Sequence, residues 1–165
     1  MSADRQTSDT GNIGNTAELA AWAARLAAAA VPDEVELAPS MVLAYVAGGR
    51  ERAELFRVDG STSSGFDPDG LVVVFPWILA ALPGAGRGLW NLVDRHADAA
   101  PAVGALRILR AADPELDQVL GTLDARFAEA GVPLAEREPL ALRTTWALLA
   151  DAGGTRAFLT AAGPA

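Results

Sequence analysis

Residues 41–58 read MVLAYVAGGRERAELFRV, and the fold class turns on them. Both flanks, 41–46 (MVLAYV) and 53–58 (AELFRV), are rich in β-branched and aromatic side chains. Gly48-Gly49 and the charged run Arg50-Glu51-Arg52 lie between them. That pattern predicts a β-hairpin closed by a glycine-containing loop. Leu71-Val72-Val73-Val74-Phe75, halted by Pro76, predicts a third strand buried on both faces and antiparallel to the hairpin.

Helices are expected on either side of this sheet. Asn15 with Glu18 three positions on resembles a capping box. Leu19, Trp22, Ala23, Leu26 and Ala30 then fall on one helical face, which Val31-Pro32-Asp33 terminates. Trp77–Leu82 suggests a short turn, and residues 88–100 a helix. Residues 102–112 fit either a helix or a strand. Asp113-Pro114-Glu115 is a strong helix start, with an acidic cap and proline in the first turn. Leu116, Val119, Leu120, Leu123 and Phe127 follow as an amphipathic stripe that Gly131 closes. Pro139–Ala152 is apolar nearly all round and should be central. A short helix capped by Thr155 ends the chain. The resulting expectation is an α+β fold: a small antiparallel sheet, hairpin plus one strand, covered by about five helices. Residues 1–14 read as a flexible polar tail and 15–165 as a single domain.

All 13 basic side chains are arginine; the 165 residues contain no lysine or cysteine, one histidine and one tyrosine. This excludes a lysine Schiff base, a thiolate nucleophile and a P-loop lysine, and one histidine cannot complete a Cys/His zinc cage. The 36 alanines beside scarce lysine, asparagine and isoleucine match the codon bias of a high-GC bacterial genome. A net charge of −8 and scattered arginines argue against nucleic acid and anionic lipid as partners. The longest apolar stretch, residues 70–86, contains Pro76 and Pro83 and is shorter than the roughly 20 residues that cross a bilayer. With no cysteine and no apolar N-terminal leader, a cytoplasmic location is expected.

Few residues offer chemistry. His96 is the lone imidazole, but Leu92, Val93, Ala99 and Ala100 at helical spacing put it near an apolar face. Asp94 and Asp98 share a helix face, yet lack the further ligand that a divalent cation needs. The loop 59–70 begins Asp-Gly and is rich in oxygens, but Ser64 and Gly70 break the calcium-loop pattern. Pro83-Gly84-Ala85-Gly86-Arg87-Gly88 could bind an anion through backbone N–H groups and Arg87, although its spacing is G-x-G-x-G. Serines 61, 63 and 64 lack the nucleophile-elbow motif. Of the four tryptophans, Trp22 and Trp146 fall in apolar stripes, whereas Trp77 and Trp90 are candidates for an exposed interaction surface.

The leading expectation is a non-catalytic interaction module, with another protein as partner. A small-molecule-binding protein, or an enzyme using carboxylates and arginines, stands second. An anion binder at Gly84, Gly86, Arg87 and Gly88 stands third. No cofactor or metal is expected.

Overall fold

The computed structural model describes residues 8–57 and 73–163, and every regular element among them is helical. The α-helices are α1 Ser8–Ala30, α2 Ala38–Ala47, α3 Gly49–Glu54, α4 Phe75–Arg95, α5 Val103–Leu109, α6 Pro114–Glu129, α7 Leu134–Ala150 and α8 Ala152–Ala162. A 3-10 turn, Pro32–Glu34, links α1 to α2. The expected α+β fold is overturned: no strand, and hence no sheet, occurs among the described residues.

The first expected strand lies in α2; of the second, 53–58, Ala53 and Glu54 end α3, 55–57 leave the helix, and Val58 lies outside the described residues. Ala38, Val42 and Tyr45 are buried at spacings of four and three, so MVLAYV belongs to a helical face that begins before it. Pro39 lies in the first turn of α2, where its missing N–H costs nothing. A helical valine sacrifices about 0.5 kcal/mol of propensity, but burying it returns roughly 1.5–3 kcal/mol. Val42 is fully buried, so packing decides. Gly48 adopts φ 74°, ends α2 and starts α3, so the double glycine separates two helices instead of turning a hairpin. Arg50 and Glu54 pair at 2.9 Å one turn apart on α3.

The expected third strand is corrected in the same way. Leu71 and Val72 lie outside the described residues, Val73 and Val74 are irregular, and Phe75 opens α4. Pro76 starts this helix instead of stopping a strand. The expected turn at 77–82 and the glycine-rich segment both lie inside α4, as does most of the helix expected from residue 88. Gly86 alone breaks its helical path, with φ 53° and ψ −132°.

Residues 103–109 are helical, which resolves the ambiguous stretch as α5. The α6 expectation holds: Asp113 accepts the backbone N–H groups of Glu115 and Leu116, and all five residues of the stripe are buried. Helix α7 begins earlier than expected, at Leu134, and α8 is capped by Asp151 in place of Thr155. At the other end, residues 1–7 lie outside the described ones, and α1 begins at Ser8.

The core forms where α4 packs on α6 and α1 packs on α2 and α7. Trp22 of α1 stacks on Phe158 of α8 with ring centroids 4.8 Å apart. Tyr45 lies 5.8 Å from Phe158. Phe56 contacts both Tyr45 and Trp77, extending this aromatic chain to α4. Among the described residues, no helix is long and apolar enough to cross a membrane.

Candidate functional site

The C-terminus of α1, the 3-10 turn, the start of α4 and the start of α7 enclose a cleft of about 530 Å³. Its position follows from how the chain leaves α1. Ala30 ends the helix, Val31 turns out of helical geometry and Pro32 begins the 3-10 turn. This presents Glu34 to the first turn of α4, where backbone N–H groups have no partner within the helix. The Glu34 carboxylate accepts Val74 N–H through Oε1 and Phe75 N–H through Oε2, each at 2.7 Å. Pro76 has no N–H to satisfy.

Glu34 is only 9% exposed. Burial pushes its carboxyl above the usual carboxylate range, and Asp33 adds to the shift. The two backbone hydrogen bonds oppose it without cancelling it. The walls around Glu34 are apolar: Ala30, Val31, Val132 and Leu140 line them, with Leu37 and Val73 left 51% and 39% exposed. Asp33, Glu136 and Arg143 complete the charged lining, all three exposed.

Two further cavities are less suited to a ligand. One, of about 470 Å³, lies beside Trp22 and Trp146, and its charged residues Arg25 and Asp151 already pair at 2.7 Å. The other, of about 730 Å³, is a shallower groove along Pro83, Gly86, Arg87, Trp90 and Leu159.

Three of the residues singled out from sequence, Gly86, Arg87 and Trp90, thus meet in one groove. Gly84 and Gly88 face elsewhere. They let α4 approach α6: a Cβ at Gly84 would lie 3.7 Å from Thr122, and one at Gly88 would lie 3.3 Å from Gln118. Trp77 is half-buried with its ring 5.0 Å from Phe56, and Trp90 is half-buried against the core. His96 is the C-cap of α4, half-buried, and lines none of these three cavities. Asp94 pairs with Arg156 at 2.7 Å, tying α4 to α8. The oxygen-rich loop 59–70 lies outside the described residues. Among the described residues, no group of three metal-ligating side chains converges.

Sequence reasoning singled out neither Glu34 nor Arg143. One signal was available: Ala27, Ala30, Glu34 and Ala38 follow helical spacing, so an acid stands where the apolar stripe continues. Its partners lie 40 and 41 residues away, beyond any local pattern. Comparison of the chain with protein-family models, with curated proteins and with solved structures finds no match.

Proposed function

We propose that the protein is a non-catalytic binding module that holds a small, largely apolar ligand in the Glu34 cleft. One observation carries this reading: a cavity of about 530 Å³, within the range of about 300–1,000 Å³ typical of ligand sites, has greasy walls and a fixed carboxylate. Leu37 and Val73 stay exposed at its mouth, where a ligand would cover them. The scarcity of reactive side chains favours holding over transformation. His96 lies apart from the cleft, and no thiol or lysine exists to act as nucleophile. A chain without cysteine also suits a reducing compartment such as the cytoplasm.

A second reading, a protein-interaction surface, draws support from α5 and the start of α7. There Ile108 and Leu134 are 78% and 75% exposed. Trp77 and Trp90, packed as they are, lend it little.

Titration with the neutral solvatochromic dye Nile red tests the first reading. Saturable binding should weaken at least fivefold in Leu37→Asp and Val73→Asp, both exposed positions that tolerate a polar side chain. Binding unchanged in both variants would place the dye elsewhere and remove the proposal.

A further inference from the structure

We infer that the cleft selects amphiphilic cations: a hydrophobic body carrying an ammonium group. This rests on the ligand-binding reading above and specifies its chemistry. The ionisable residues lining the cleft are Asp33, Glu34, Glu136 and Arg143. Three carboxyl groups stand against one guanidinium, so acidic groups are in excess around the cleft. None of the four forms an ion pair among the described residues; Glu34 is met by the two backbone N–H groups at the start of α4, while Asp33, Glu136 and Arg143 are exposed. The whole chain, at −8, adds a field of the same sign.

Glu34 supplies the directional contact. Its two backbone hydrogen bonds use one acceptor position on each oxygen. A carboxylate offers about four such positions, so acceptor capacity remains. Those bonds also hold the side chain still, so a ligand ammonium meets a preset acceptor and orders little on binding. Leu37, Val73 and Leu140 supply the apolar contact. Arg143 is the one lining group that would favour an anion, which makes a ligand carboxylate the competing occupant.

Decylammonium, decanol and decanoate share one chain and differ in head-group charge. Isothermal titration of the full-length protein with each, below its micellar concentration, measures the preference. Decylammonium should bind about tenfold more tightly than decanol, and decanoate more weakly than either. Asp33→Asn and Glu136→Gln alter exposed residues and should preserve the fold. Each should cut the ammonium preference about threefold while leaving decanol affinity unchanged. Arg143→Gln should raise decylammonium affinity. Tighter binding of decanoate, or equal binding of all three, would overturn the cation inference and leave the binding module standing. Failure of all three to bind would overturn both.

Discussion

The indole Nε1–H of Trp22 donates to Thr155 Oγ1 at 3.3 Å, across 133 residues of chain. Thr155 passes the contact on, its hydroxyl donating to the Leu148 carbonyl at 2.9 Å. The same indole presses on the backbone of α8, because a Cβ on Gly154 would fall onto Trp22 Cδ1. Thr155→Val keeps the shape and leaves a buried N–H without an acceptor, so it should cost about 1–2 kcal/mol. Gly154→Ala must displace a ring that is almost fully buried, at a cost of about 2–3 kcal/mol. Urea unfolding should show both as lower midpoints with an unchanged slope.

Glu34 joins the 3-10 turn to α4, and its removal should be felt at the helix start. Glu34→Ala leaves the N–H groups of Val74 and Phe75 without their acceptor and should destabilise the protein by about 2–3 kcal/mol. The folded state holds the Glu34 proton above the ordinary value of 4.5. In the window above 4.5 the folded state therefore binds more protons than the unfolded one. The Glu34 contribution to stability falls as pH rises through that window. In Glu34→Gln this pH-dependent loss should vanish, as measured by midpoints across an acid-to-neutral series.

Asp113 acts with the opposite sign. Burial alone would raise its carboxyl. The Leu116 N–H, the Arg95 guanidinium at 3.1 Å and the Glu115 N–H together outweigh burial and hold it below the ordinary 3.8. Its contribution is present above 3.8 and is lost as pH falls through the folded value. Asp113→Ala should lower stability by about 1 kcal/mol near neutrality and flatten the acid limb of the stability curve.

Gly86 carries φ 53° and ψ −132° inside α4, a combination that side chains avoid. A Cβ there would meet no atom, so the penalty of Gly86→Ala is purely conformational. Thermal unfolding should register a loss of about 1–3 kcal/mol. A similar loss is not expected at Gly104, where φ is negative and the space is also open.

The helices that carry their own punctuation were legible in the sequence. Asp113-Pro114 opens α6, Gly131 follows it with φ 85°, and its stripe is buried throughout. Residues 41–46 misled because six apolar residues fit both periods, and only the longer frame from Ala38 to Tyr45 separates them. Pro76 was ambiguous because proline both ends strands and begins helices. Glycine spacing at 84–88 suggested an anion cradle, but two of these glycines serve the α4–α6 approach. The cleft was illegible for a different reason. It is made from three separated stretches of chain, and the buried acid in its lining has partners that only tertiary structure brings near.

Every ion pair among the described residues ends on a guanidinium, from Arg25–Asp151 to Arg156–Asp94. That group stays protonated beyond pH of about 12, so alkali cannot dissolve these contacts as it would dissolve lysine pairs. Only their carboxylate halves titrate, and only acid reaches them. Each pair is worth little by itself, but together they make the surface vulnerable from one side alone. Tyr45 carries the one phenol in the chain, and burial holds its proton above the ordinary value of 10.0. Arg52 and Arg126 ease the loss of that proton. Base denaturation should therefore begin in the interior, with the appearance of tyrosinate absorbance as its first signal.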